Sequence, residues 1–222
     1  MLKPLFNVLR RIPFTLLMLG GLALVALLTE THNGSLSAAW LARLGFAPQD
    51  LWLFRIERLL TSAVVTYGGR VFWEAVGMIT LAVGLAEWLT TTRRTALTFW
   101  GVHLAVLLFQ SLLIALPLHL WGGADGEAMS LARDVGPSAG YFGCLGLVSS
   151  WLPGRWRWIS GALILGGLVA ALFLPPRAGE SELVKLGADL AHLIAYPLGW
   201  MTYRPPKTPG LARQGLEGVS GD

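Results

Sequence analysis

Six long apolar segments alternate with polar connections along the chain, and this pattern predicts six helices that cross a membrane. Each segment holds between 15 and 24 residues. The first segment is longer than the apolar core of a secretory signal peptide and no clear cleavage site follows it, so we interpret it as a membrane-spanning helix. The six predicted spans are residues 12–29, 71–89, 95–118, 138–152, 158–174 and 183–203.

The long connection between the first two spans, residues 30–70, has a helical apolar pattern of its own. This pattern predicts an amphipathic stretch that lies on the membrane surface, with Trp40 and Trp52 at the interface. The apolar residues that recur at helical spacing are Leu36, Trp40, Leu41 and Leu44.

Composition supports a single all-α membrane unit. The chain has 222 residues, of which 54% are hydrophobic and 14% are charged, too apolar for an ordinary soluble domain. We therefore divide it into a cytoplasmic N-terminus (1–11), a six-helix membrane domain (12–203) and a disordered cytoplasmic tail (204–222). The single cysteine excludes an internal disulfide. No metal or cofactor site is expected.

The basic residues predict the orientation of the chain, because lysine and arginine concentrate in cytoplasmic loops. Ten of them lie on the side of the two termini, and seven lie on the other side, spread over longer loops. Two short connections carry the clearest signal, Arg93 with Arg94 and Arg155 with Arg157. Both termini are therefore predicted to be cytoplasmic. Because these residues cluster at helix ends, the formal charge of +4 favours membrane topology over a nucleic-acid partner.

The fourth span is too short to cross a bilayer. Residues 138–152 make a helix of about 22 Å, whereas the hydrocarbon core of a bilayer is about 30 Å thick. Pro137 is suited to the first turn of a helix, so Ser138 is predicted at a helix N-terminus below the extracytoplasmic membrane surface. The connection 122–136 that dips to meet it must be covered by protein or line a water-filled cavity.

Ionisable residues inside membrane spans are functional candidates, although a structural role in helix packing is the common alternative. Ser138 and His192 lie 14 and 11 residues from the inner ends of their spans, so their depths agree to about one helical turn. Small residues on both helices would allow them to pack closely. From spacing alone, a structural histidine is the better interpretation. The polar residues within the spans are Glu74, His103, Gln110, Asp189 and His192.

Three short motifs resemble those of the rhomboid family of intramembrane serine proteases. Residues 136–146, Gly-Pro-Ser-Ala-Gly-Tyr-Phe-Gly-Cys-Leu-Gly, are similar to the family's Gly-x-Ser-Gly motif with its aromatic residue and spaced glycines. Residues 191–193, Ala-His-Leu, followed by Gly199, resemble the family's Ala-His-Leu-Gly-Gly helix. Residues 58–62, Arg-Leu-Leu-Thr-Ser, look like the segment ahead of the second family helix, which usually ends where Glu87 stands.

The resemblance covers about residues 55–200, with six helices in the family's order. Arg93-Arg94, residues 101–103 and residues 134–136 also look like a divergent bacterial branch of rhomboid-like proteins. This implies a six-transmembrane-helix bundle with an interfacial first loop, located in a bacterial inner or plasma membrane.

The resemblance further implies a catalytic dyad. Ser138 would be the nucleophile, and His192 would be the base that removes its proton and later protonates the leaving amine. Phe142 falls where the family places an aromatic ring against the histidine. Asp189, on the same helix face as His192, could orient the imidazole or be a polar residue near the start of the helix, and we favour the second interpretation.

The sequence also departs from the family. The oxyanion-hole His and Asn of the family align with Val71 and Ala75, which cannot donate a side-chain hydrogen bond, and Ala139 replaces the glycine after the serine. Loss of one oxyanion donor typically costs about 10²–10³ in rate. The candidate replacements are the N–H of Ser138, Tyr141, His103 and, if protonated, Glu74.

Two functions are therefore expected from the resemblance. The first is an intramembrane serine endopeptidase that cleaves transmembrane or juxtamembrane segments of membrane proteins. The alternative is an inactive rhomboid-like protein that binds transmembrane client helices. A small channel or transporter is a weaker alternative, because the sequence has neither paired broken helices nor rings of charge.

Overall fold

The computed structural model describes residues 9–176 and 181–202, and this part of the chain is helical with no strand. A 3₁₀ turn occupies Ser62–Val64, and π-helical turns occupy Ile79–Val83 and Gln110–Ala115. The helices are α1 (Pro13–Leu28), α2 (Ala38–Leu44), α3 (Gln49–Trp52), α4 (Arg58–Thr61), α5 (Arg70–Leu89), α6 (Thr92–Trp121), α7 (Ala124–Leu131), α8 (Ser138–Trp151), α9 (Trp156–Ala171) and α10 (Glu182–Met201).

Helices α1, α5, α6, α8, α9 and α10 coincide with the six apolar segments, each beginning and ending within three residues of the predicted bounds. Capping accounts for two of the shifts at the N-terminal ends. The Thr91 hydroxyl accepts the N–H of Arg94 at 3.2 Å, and the Ser181 hydroxyl accepts the N–H of Val184 at 3.3 Å. Two of the six, α5 and α6, are long and apolar enough to cross a membrane by length and composition.

Among the described residues, three helices were not predicted: the one-turn helices α3 and α4 in the first connection, and α7. The connection 122–136 contains α7, whose sequence lacks an apolar repeat that would have indicated a helix. It packs closely on the end of α6, since a Cβ added at Gly126 would overlap the carbonyl oxygen of Leu118. The predicted amphipathic helix of the first connection is present as α2, capped by Ser37.

Helix α8 lies in the middle of the bundle, between α5, α6 and α10. Its glycines allow this position, because they face bulky side chains of α6: Cβ atoms added at Gly140 and Gly143 would lie 2.5 Å from Phe99 and 2.8 Å from Val102. The main apolar cluster joins α8 to α1, α5 and α6. Its buried members include Phe14, Met18, Leu22, Phe72, Ala75, Ile79, Val83, Phe99, Cys144 and Leu147.

A buried carboxylate joins α1 to α5. Glu87 is 2% exposed and accepts hydrogen bonds from the first-turn N–H groups of Phe14 (2.9 Å) and Thr15 (2.8 Å) and from the Thr15 hydroxyl (2.8 Å). A negative charge at a helix N-terminus is stabilised by the otherwise unpaired N–H groups and by the helix dipole. Glu87 therefore supplies the cap that the local sequence of α1 lacks.

The connections alternate between the two ends of the bundle. Arg11 stacks over Trp88, at 4.9 Å, and Arg94 stacks over Trp151, at 5.7 Å, while the Arg94 guanidinium also donates to the Thr202 carbonyl at 2.6 Å. These residues therefore share one end, which we call the Arg94 end, and α8 starts at the opposite Ser138 end. The N-terminal residues 1–8, Arg177 and the tail 203–222, which enter the predicted orientation, lie outside the described residues.

Candidate functional site

Ser138 is the first residue of α8, as Pro137 predicted. Gly136, two residues before Ser138, has a φ of +147°, a backbone conformation that favours glycine, and its N–H donates to the carbonyl of Ser62 at 2.8 Å. Gly136 also lies against the serine, because a Cβ added there would be 3.9 Å from both N and Oγ of Ser138. The serine is partly exposed, at a helix N-terminus whose first N–H groups have no acceptor within the helix.

His192 lies on α10 and contacts Phe142 of α8. Its imidazole packs on the ring of Phe142, with the ring centroids 4.4 Å apart and the planes inclined by 35°. Phe142 is four residues, about one turn, after Ser138. The aromatic contact expected from the resemblance is therefore present.

Glycine contacts bring α8 and α10 together between the Phe142–His192 contact and the Arg94 end of the bundle. A Cβ added at Gly199 would overlap the carbonyl oxygen of Gly143, and one added at Gly146 would overlap the carbonyl oxygen of Tyr196. The two backbones therefore touch directly, as small residues on both helices allow. Above this contact, Ala139 packs with Ala191 and other buried residues of α6 and α10.

In the described part of the chain, no hydrogen bond joins the Ser138 hydroxyl to Nε2 of His192. A general base has to reach the proton that it removes, but such contacts often tighten only in the complex with substrate. What the structure provides is the contact between His192 and Phe142, one helical turn after Ser138.

Asp189 has a structural partner. Its carboxylate accepts from Lys185 at 2.6 Å, and the same ammonium donates to the carbonyls of Ala171 (3.0 Å) and Leu172 (3.4 Å) at the end of α9. The pair therefore ties α10 to α9, as our interpretation of Asp189 as a structural polar residue expects.

Two of the candidate oxyanion donors are engaged elsewhere. Glu74 pairs with Arg70 on the surface of α5, at 2.7 Å. Nε2 of His103 lies 3.0 Å from the carbonyl of Leu59, so it must carry the proton of a neutral imidazole. That tautomer leaves Nδ1 as an acceptor, which cannot stabilise an oxyanion. Ala75 is buried among apolar side chains.

The remaining candidate oxyanion donors are the backbone N–H of Ser138, in the first turn of α8, and Tyr141. The N–H of Tyr141 donates to the carbonyl of Pro137 at 3.0 Å, so only its phenol is a candidate, and its ring lies against that of Phe142, with centroids 5.2 Å apart. The backbone N–H of Ser138, at the start of α8, is the donor nearest the nucleophile.

A buried charge cluster at this end of the bundle was not predicted from the sequence. Asp50, in the first connection, is fully buried and lies 2.7 Å from Arg58 and 2.7 Å from Arg133. Arg133 is 83 residues away in sequence and belongs to the segment that leads into Ser138. No spacing rule relates residues this far apart, so only the fold reveals the cluster.

A mainly apolar cleft of about 560 Å³, including its open mouth, lies next to the site. It is bounded by α6, α7, α10 and the first connection, and neither Ser138 nor His192 lines it. Asp134, four residues before Ser138, and Leu190, two residues before His192, lie on its wall.

Among residues 9–176 and 181–202, no three His, Cys, Asp or Glu side chains are arranged to hold a metal ion. Comparisons with protein-family models, curated proteins and solved structures find no match for the chain.

Proposed function

We propose that the protein is a rhomboid-type intramembrane serine endopeptidase, with Ser138 as nucleophile and His192 as general base. The observation that carries the proposal is the packing of His192 on Phe142, because Phe142 lies one helical turn after a serine at a helix N-terminus. The substrate class is a transmembrane or juxtamembrane segment of another membrane protein.

The exterior of the bundle supports a membrane location. Large apolar side chains point outward on helices around the bundle, among them Leu17 (70% exposed), Leu81 (62%) and Leu163 (72%). Large exposed apolar patches are rare on soluble monomers. In the proposed arrangement all six long helices are embedded in a bacterial plasma membrane, both termini are cytoplasmic, and the Ser138 end faces the other side.

The proposed reaction is acyl transfer through a covalent intermediate. Ser138 Oγ attacks the carbonyl carbon of the scissile peptide while the imidazole of His192 takes the hydroxyl proton. The tetrahedral intermediate then expels the amine, which receives that proton from the imidazolium. Water hydrolyses the acyl-serine by the same sequence in reverse, and returns the serine hydroxyl and a free carboxyl product.

The oxyanion in this proposal is stabilised mainly by the N-terminus of α8. The N–H of Ser138 is oriented by the helix start, and the helix dipole favours negative charge at the same place. Because Val71 and Ala75 contribute no donor, we expect slow turnover, with a loss of roughly 10²–10³ in rate for each missing donor.

Labelling with a fluorophosphonate probe tests this function. The detergent-purified protein is expected to be labelled at Ser138, to lose labelling in Ser138→Ala, and to label far more slowly in His192→Ala because the serine is no longer activated. Ser160→Ala is the matched control, since the Ser160 hydroxyl donates to the carbonyl of Arg157 on α9. Absence of labelling in the wild-type protein, or labelling that survives Ser138→Ala, would refute the proposal.

The alternative is an inactive rhomboid-like protein that binds transmembrane clients. It is favoured by the burial of Ala75 in the apolar core, where the family's oxyanion donor is expected, and by the apolar cleft beside the site. A photo-crosslinking residue at Leu190 on the cleft wall, compared with one at Leu163 on the outer face of α9, distinguishes the two functions. Full-length membrane proteins captured only from the cleft, together with no probe labelling, would identify a binder.

A further inference from the structure

We propose that Asp50 is a positioning residue, which holds the segment leading into Ser138 against the first connection. Its consequence for catalysis rests on the endopeptidase function proposed above. The attachment of this segment to the first connection, which we call the hold, can be measured without any activity.

Asp50 forms ion pairs with two guanidinium groups away from water. Its side chain is fully buried, and the side chains of Arg58 and Arg133 are only 12% and 15% exposed. One carboxylate oxygen contacts Arg58 at 2.7 Å, and the other contacts Arg133 at 2.7 Å and accepts the N–H of Ala47 at 2.9 Å. Arg55 is more distant, at 3.8 Å, and is 49% exposed. Without the carboxylate, two like charges would face each other in a poorly solvated place.

Arg133 connects the Asp50 cluster to the segment of the chain that precedes Ser138. Its guanidinium also donates to the carbonyl of Gly45 at 2.6 Å, so it connects Asp50 to the first connection at a second point. The carbonyl of Arg133 accepts from the Tyr67 hydroxyl at 3.0 Å. The next residue, Asp134, exchanges two backbone hydrogen bonds with Phe46, of 2.8 and 3.0 Å.

The last contact of the segment lies directly beside the nucleophile. Gly136 lies two residues before Ser138, and its N–H donates to the carbonyl of Ser62. Residues 133, 134 and 136 are thus each bonded to the first connection or to the turn that follows α4. Among these contacts, the Asp50 cluster is the one that involves buried charge. It therefore determines whether residues 133–136 keep their position against the first connection. A shift of about 1 Å in a catalytic group can cost about 10²-fold in rate.

Hydrogen–deuterium exchange of Asp50→Asn measures the hold. Exchange of the amides of residues 133–136 is expected to speed up by about tenfold or more, while α5 and α9 keep their wild-type rates. Asp125→Asn, an exposed aspartate on α7, is the matched control and should leave the segment unchanged. Unchanged exchange in 133–136, or an equal increase throughout the chain, would overturn the inference. If Asp50→Asn does not fold, Arg133→Gln tests the same contact and retains the Asp50–Arg58 pair.

A disulfide provides the rescue. Phe46 and Asp134 form a hydrogen-bonded antiparallel pair, for which a Cα separation of about 5.5 Å suits a disulfide. With Phe46→Cys and Asp134→Cys added to Asp50→Asn, slow exchange and fluorophosphonate labelling of Ser138 should return on oxidation and be lost on reduction. Faster exchange with wild-type labelling would show that the hold does not position the nucleophile, against the inference. An unlabelled wild-type protein with the expected exchange pattern would instead refute the endopeptidase and retain the hold.

Discussion

The contact between α8 and α10 predicts that one added methyl group destabilises the protein strongly at Gly199. A Cβ at this position would overlap the carbonyl oxygen of Gly143 and lie 2.5 Å from its carbonyl carbon and 2.7 Å from its Cα. These are backbone atoms of a helix and cannot turn away as a side chain would. The two helices would therefore have to separate in Gly199→Ala.

The expected loss follows from two opposing contributions. Inserting a methyl group into a closely packed contact typically costs about 1–3 kcal/mol, and the upper end applies because backbone meets backbone. Alanine gains up to about 1 kcal/mol over glycine in a helix. The net loss is about 2 kcal/mol, which lowers the midpoint of thermal unfolding by roughly 4–8 °C in a chain of this size.

The native cysteine provides the assay. Cys144 is the single cysteine of the chain and is fully buried on α8, so a fluorogenic maleimide should react with it only when the bundle opens. Gly167→Ala on α9 is the matched control, because nothing lies within 4 Å of its added Cβ. Its midpoint should stay the same or rise by roughly 2–4 °C. Equal midpoints for the two variants would refute the direct backbone contact.

Two further predictions follow from single contacts, and a third follows from the distribution of basic residues. Glu87→Ala leaves buried first-turn N–H groups of α1 without an acceptor and should cost about 1–3 kcal/mol, whereas Glu74→Ala on the same helix breaks a surface pair and should cost at most about 1 kcal/mol; equal unfolding midpoints would contradict the capping role. Phe142→Ala should slow fluorophosphonate labelling by roughly ten- to a hundredfold, because the imidazole loses the ring that orients it, and an unchanged labelling rate would remove this role. Reporter fusions should read as cytoplasmic at Arg94 and as extracytoplasmic at Asp125, and the reverse pattern would overturn the proposed orientation.

Much of the helical framework could be predicted from the sequence, because each long helix satisfies its own backbone hydrogen bonds and its apolar run marks its extent. Capping residues such as Ser181 shifted the ends by at most three residues. Ser138 could be placed at a helix start because Pro137 favours the first turn. Helix α7 was missed, since its stability comes from packing on the end of α6 and its sequence has no apolar repeat.

The partners of individual polar residues depended on the tertiary structure. Glu74 and Glu87 are two acidic residues on one apolar helix, yet the first forms a surface pair with Arg70 and the second caps α1 from within the core. Asp50 meets Arg133 across 83 residues. Local sequence carries the propensity and the apolar period of each helix, whereas the environment of a carboxylate or an imidazole depends on which backbone approaches it. That approach is decided by how the helices and connections pack against one another in the folded chain.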